Sequence, residues 1–176
     1  AWNRITDRAS RLKLQVRPPV PAGFQLELRP YQIEGFHFLA YLSANNFGGL
    51  LADDMGLGKT AQSICWMLWL REKAAKDAEG NPQNVLPGLV VAPKSVLDVW
   101  AAETVKFSPG LRVQVIRDKA ELDTSRLGRD IDLVVMNYSQ LRVNAEKLKP
   151  IEWLSVVLDE GQQIKNPDSI AARAAR

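Results

Sequence analysis

The 176-residue chain has one cysteine, Cys65, and one histidine, His37. A single thiol excludes an internal disulfide, which fits a reducing compartment. No Cys/His spacing of a zinc site can be assembled from the pair. No run of 18 apolar residues occurs, so no membrane span and no membrane partner are expected. The opening stretch, AWNRITDRASRLKLQVRPPVP, lacks an apolar core of signal-peptide length. Internal repeats and low-complexity tracts are missing too. Net charge is small, +3, and unevenly placed. Residues 1–29 carry six Lys/Arg against Asp7 and Glu27, leaving 17 basic and 18 acidic residues in the rest. That excess reads as an N-terminal arm or linker, either solvated or resting on nucleic-acid phosphates. What is present is ordinary for a soluble globular protein: 46% hydrophobic and 24% charged residues. The length suits one domain with a sizeable core.

The arm ends in VRPPVPAGF, where Pro18, Pro19 and Pro21 favour extended chain. A helix is expected from Pro30, since proline suits a first helical turn. Ile33, Phe36, Leu39, Ala40 and Leu42 give it an apolar face, and Asn45–Asn46 stop it. Gly49–Ala52 reads as a short apolar strand and Lys59 to about Ala75 as a helix. KDAEGNPQNVLPG is a loop. Strands are expected at 89–92, 111–116, 131–136 and 155–158, with helices over 95–107 and 139–147. The end of the chain, SIAARAAR, reads as helix. Short apolar strands alternating with helices predict an α/β fold, a parallel sheet covered on both faces.

The stretch LLADDMGLGKTAQSIC carries Gly-Leu-Gly-Lys-Thr between an expected strand and an expected helix. The general phosphate-loop pattern is Gly-x-x-x-x-Gly-Lys-Ser/Thr. Asp53 stands where its first glycine belongs. A chance occurrence of the short pattern has a probability of about one in a hundred in a chain of this length. The first N–H groups of a helix lack internal partners and favour an anion. Gly56 and Gly58 allow close backbone approach and positive φ. Lys59 supplies a cation for the β- and γ-phosphates, and the Thr60 hydroxyl suits Mg²⁺. The complementary acids are in VVLDEGQQIKN. Asp159 and Glu160 follow a buried strand at its C-terminal end, the edge where parallel sheets bind ligands. Asp159 would hold Mg²⁺, and Glu160 would orient and deprotonate an attacking water.

Four segments in order, LRPYQIEG, LADDMGLGKT, VVAPKSVLDVW and DEGQQIKN, resemble the Swi/Snf-type ATPases of helicase superfamily two. The resemblance runs from about residue 24 to the end. It implies a P-loop NTPase RecA-like lobe, the first of two, cut before its last strands. Residues 1–29 would then be the arm and 30–176 the partial lobe. It implies ATP and Mg²⁺ as cofactors, held by Asp53, Asp54, Met55, Gly56, Leu57, Gly58, Lys59 and Thr60. An acidic pair before Met-Gly-Leu-Gly-Lys-Thr is the family's habit, which accounts for Asp53; at Asp54 glutamate is more usual. Gln32 would bond the adenine edge, for which an amide has both donor and acceptor. Lys94 and Ser95 would meet the backbone of double-stranded DNA, with Asn137 a third contact where the family more often has threonine. Gln162 or Gln163 would couple nucleotide state to DNA. The implied activity is a DNA-dependent ATPase that translocates on duplex DNA or remodels a nucleoprotein partner. A second RecA-like lobe of the same parent chain would supply an arginine finger, so this segment alone would bind ATP weakly and scarcely turn it over. The DEGQ form is closer to prokaryotic members, which implies a cytoplasmic, nucleoid-associated location; a eukaryotic member would be nuclear.

Two other classes compete. An RNA-dependent superfamily-two helicase more often has Thr before the loop's Gly and Asp-Glu-Ala-Asp at the acidic box; Met55 and DEGQ count against it. A non-catalytic nucleotide-binding or docking module would not need Lys59, Thr60, Asp159 and Glu160 together. His37, Cys65, Trp66, Trp69 and Trp100 are read as packing residues.

Overall fold

A computed structural model describes residues 15–52, 56–78, 85–117 and 122–164. Helix α1 spans Pro30–Ala44 and α2 spans Lys59–Asp77. Strand β1 (Gly88–Ala92) leads through a 3₁₀ turn at Lys94–Val96 into α3 (Leu97–Phe107). Then come β2 (Val113–Ile116), β3 (Leu133–Asn137), the short helices α4 (Tyr138–Val143) and α5 (Ala145–Leu148), and β4 (Ser155–Leu158). The four strands form one sheet in the order β2-β3-β1-β4, every pair parallel. Parallel strands need crossover connections, and the alternation of strand and helix provides them.

Every residue of β1 and β3 is buried, because each strand faces two helical layers. Val90 and Ala92 of β1, with Leu133 and Val135 of β3, turn towards Phe36, Ile64, Cys65, Leu97 and Trp100. Leu89 and Val91, with Val134 and Met136, turn the other way, towards Ile116, Leu141 and Leu148. Period-two alternation thus feeds two cores from one run of apolar residues. The fully buried Cys65 belongs to the first core, and burial, with Glu72 nearby, pushes its thiol up to about 12.

The sheet's N-terminal edge is fixed by Asp132, the residue before β3. Its carboxylate takes a 2.6 Å contact from Arg71 of α2 and another of 2.6 Å from Arg112. The Arg112 backbone N–H also donates to it, at 2.9 Å. The two guanidiniums shift in opposite directions. Burial lowers Arg71 despite the attraction of Asp132, whereas the hydrogen bond to Asp132 raises the more exposed Arg112. Both remain charged at neutral pH.

Two expectations need correction. Residues 49–52 are not a strand, and Leu50 is 77% exposed. The segment has no β-branched or aromatic residue, and β4, the edge of the four-stranded sheet, pairs with β1 alone. Nor do residues 15–29 behave as a separate arm. Phe24 and Leu28 are buried in the first core, Gln25 N–H donates to the Phe107 carbonyl at 2.7 Å, and Arg17 pairs with Glu34. The prolines kept this stretch extended, and its apolar residues docked it. Residues 1–14 and the expected terminal helix lie outside the described residues.

Asp132→Ala leaves the Arg71 guanidinium buried without its counter-charge. It should lower unfolding free energy by about 3 kcal/mol in urea titrations. A loss under about 1 kcal/mol, the range of an exposed pair, would show that Asp132 does not anchor α2.

Candidate nucleotide site

Three strands end together. In the ladder Ala92 stands beside Asn137 and Val91 beside Leu158. The next residues, Pro93–Ser95, Tyr138 and Asp159–Glu160, therefore share the C-terminal rim of the sheet. Asp159 N–H donates to the Val91 carbonyl at 2.8 Å, extending the ladder by one bond. Helix α2 reaches the same rim from the other direction. Arg71, late on α2, pairs with Asp132 at the start of β3, so α2 runs antiparallel to the strands. Lys59 lies about 18 Å back along that axis, and β1 itself is about 16 Å long. The first turn of α2 thus stands at the rim that carries Asp159.

The loop entering α2 is held by backbone and amide geometry. Gly56 has φ 85° and Gly58 φ 74°, the left-handed region. The Leu57 carbonyl between them accepts from two side-chain amides, Gln32 Nε2 and Gln62 Nε2, each at 3.3 Å. Gln32 Oε1 accepts from the Arg29 N–H at 2.9 Å, at the entry to α1. A Cβ on Gly58 would lie 2.4 Å from Gln32 Nε2, whereas one on Gly56 would meet nothing within 4 Å. The loop is therefore closed towards α1 at Gly58 and has room for a Cβ at Gly56. No acidic residue occupies the first turn of α2, so no side chain of that turn opposes an anion there. Lys59 and Thr60 are half-buried in that turn. Asp53, Asp54 and Met55 lie outside the described residues.

Asp159 is held from three directions. Its Oδ2 accepts from the Trp100 indole N–H at 2.8 Å and its Oδ1 from the Glu160 N–H at 2.9 Å. Its carbonyl accepts from the Tyr138 hydroxyl at 2.7 Å. Glu160 follows with φ 51°. A left-handed glutamate costs about 1–2 kcal/mol, and such strain gathers at functional sites. Burial raises Tyr138 to about 12, and the charges of Asp159 and Glu160 push it the same way. The phenol is thus a donor throughout the neutral range.

Lys94 and Ser95 are exposed at this rim, in the turn that opens α3. Asn137 is not a surface group: it is 5% exposed, and its Oδ1 caps α4 by accepting from the Gln140 N–H at 2.9 Å. Its short polar side chain suits a helix cap. The residues discounted as packing groups do pack. Trp69 meets Phe36 edge-on, Trp66 donates to Ser43 Oγ at 2.7 Å, and a His37 ring nitrogen lies 3.1 Å from the Pro18 carbonyl. Trp100, Tyr138 and Gln62 were missed. A buried tryptophan N–H or a polar residue on a core-facing helix needs a partner, and that demand was the available signal.

The donor set fits a magnesium-bound triphosphate: an ammonium, a hydroxyl, two carboxylates and a glycine-lined helix entrance. Among the described residues no cluster of three His, Cys, Asp or Glu could cage a metal. Mg²⁺ held through phosphates and water needs only one or two protein oxygens.

A family model described as "SNF2-related domain" matches residues 31–176. The chain is 39% identical over 164 residues to the TATA-binding protein-associated factor mot1 of Aspergillus fumigatus, covering 89% of this chain and 9% of that protein. It is 37% identical over 161 residues to the ISWI chromatin-remodeling complex ATPase ISW1 of Saccharomyces cerevisiae, covering 89% of this chain and 14% of the relative. Among solved structures, the Sulfolobus solfataricus SWI2/SNF2 ATPase core in complex with dsDNA superposes with a TM-score of 0.72 at 38% identity. The match covers 92% of this chain and 31% of that one. The sheet and its helices are those of the RecA-like lobe of that core.

Gly58→Ala places a methyl against Gln32 in a left-handed backbone. Binding of a fluorescent ATP analogue should weaken by about tenfold or more, at a stability cost of about 1–2 kcal/mol. Unchanged affinity would remove Gly58 from the site.

Proposed function

The chain belongs to the SNF2-related domain family, and on that premise we propose that it is the ATP-binding N-terminal lobe of a DNA-dependent ATPase that moves on duplex DNA. It spans 9% and 14% of the length of the two relatives described, so the activity is that of a larger protein. The observation that supports the reading is the Arg71–Asp132 pair, which places the later part of α2 where the strands begin and so directs its first turn towards the edge where Asp159–Glu160 follow β4.

In this reading the N–H groups around Gly56–Thr60 receive the phosphates, and Lys59 neutralises the β- and γ-oxygens. Thr60 and Asp159 would hold Mg²⁺, which when bound would supply positive charge to offset charge developing on the phosphates. Glu160 orients a water in line with the γ-phosphate and takes its proton. Gln32 exchanges its loop contact for the adenine edge. Asp53, Asp54 and Met55, outside the described residues, belong to the same expected cofactor-binding set. Lys94 and Ser95, exposed at the same rim, contact duplex phosphates without reading bases. A second RecA-like lobe supplies an arginine that contributes about 10³–10⁵ in rate.

The full-length protein should show ATP turnover raised by duplex DNA. Lys59→Ala should lower that turnover by about 10²-fold or more. Stimulation by single-stranded RNA but not duplex DNA would favour the RNA-helicase class. Retention of ATP binding and duplex stimulation by Lys59→Ala would leave only a docking or sensing module. The isolated lobe should hydrolyse ATP at no more than about a thousandth of the full-length rate.

A further inference from the structure

We propose that Trp100 and Tyr138 are positioning residues for the acid pair, and that they tie Asp159 mechanically to the two rim segments from which they come. The inference rests on the nucleotide reading above and adds two side chains to it.

Asp159 offers three oxygens, and the protein spends a donor on each. Trp100 Nε1 reaches Oδ2 at 2.8 Å, the Glu160 N–H reaches Oδ1 at 2.9 Å, and the Tyr138 hydroxyl reaches the carbonyl at 2.7 Å. Opposed donors on the two carboxylate oxygens fix rotation of the carboxylate plane. Each oxygen still has a lone pair for a cation. The Tyr138 bond fixes the peptide immediately before the left-handed Glu160, so it sets where the glutamate backbone turns. Gln162 Nε2 then donates to Glu160 Oε2.

Packing alone does not call for these donors. The Trp100 ring is 3% exposed in the first core, and a phenylalanine would fill much of that space. The indole N–H is its one polar group, and it ends on the Asp159 carboxylate. Its helix, α3, opens directly from the exposed Lys94–Val96 turn. Tyr138 is the first residue of α4, directly after β3. A ligand that shifts either segment pulls on Asp159 through one hydrogen bond. Second-layer partners that orient a metal ligand change metal affinity or activity by about 10–100-fold when removed.

The experiment compares full-length wild type, Trp100→Phe and Tyr138→Phe. ATP turnover is measured at saturating ATP with and without duplex DNA. The Mg²⁺ dependence of fluorescent ATP-analogue binding and the thermal melting curve are recorded alongside. The expected result is a kcat about tenfold lower, KM for ATP within about twofold of wild type, and a several-fold higher Mg²⁺ requirement for binding. Tyr138→Phe deletes only a half-buried hydroxyl, so it keeps the test decisive if Trp100→Phe folds poorly. Falls in kcat under about threefold in both variants overturn the inference, as do falls matched by KM or by lost folded protein. Wild type without duplex-stimulated turnover, or an active Lys59→Ala, instead removes the nucleotide reading itself.

Discussion

Arg71 meets Asp132 where the strands begin, and that buried ion pair, with the packing of Ile64 and Cys65 in the core, holds α2 along the sheet. Once the axis is set, the helix length sets where the other end falls. Lys59 and Thr60 come to stand at the rim where β1, β3 and β4 finish. Nothing in the glycine loop itself determines this. A loop of the right composition on a helix tilted elsewhere would present the same N–H groups to solvent. The structural edge and the chemical edge of the sheet are thus two ends of one lever.

At the chemical edge the protein relies on short polar contacts between otherwise separate elements. Gln32 of α1 and Gln62 of α2 both hold the Leu57 carbonyl. Gly35 has no Cβ because one would lie 1.8 Å from Gln62 Oε1. Helix α1 is therefore fitted to the loop as closely as α2 is. On the acid side, Trp100 and Tyr138 do the corresponding work for Asp159. The first pair of contacts shapes a backbone that can accept an anion. The second shapes a carboxylate that can accept a cation. A magnesium-bound triphosphate satisfies both at once, which is why the two halves are read together.

The sequence revealed the chemistry more fully than the geometry. Gly-Leu-Gly-Lys-Thr and Asp-Glu after an apolar run were visible as patterns, because each depends on neighbouring residues only. The strands at 88–92, 133–137 and 155–158 were visible for the same reason, as apolar runs bounded by turn residues, but the last, read as buried, is an edge strand with Val156 exposed. Four features were not legible. Residues 49–52 have an apolar pattern, but pairing depends on a neighbour strand that no local pattern reports. Residues 1–29 read as an arm by charge and proline content, yet Phe24 and Leu28 within them are buried in the first core. Asn137 was read for surface chemistry when its place at a strand-to-helix junction made it a cap. Trp100 and Asp159 are far apart in the chain, so their bond belongs to the fold alone.

The central claim is that Lys59 and Asp159 serve one triphosphate. The most direct measurement is a crystal structure of the full-length protein with Mg²⁺ and a non-hydrolysable ATP analogue. The account predicts Lys59 Nζ about 3 Å from a β- or γ-phosphate oxygen, with Asp159 on the Mg²⁺ directly or through one water. A triphosphate bound away from the Gly56–Thr60 turn, or one whose Mg²⁺ has no contact with Asp159, would contradict it.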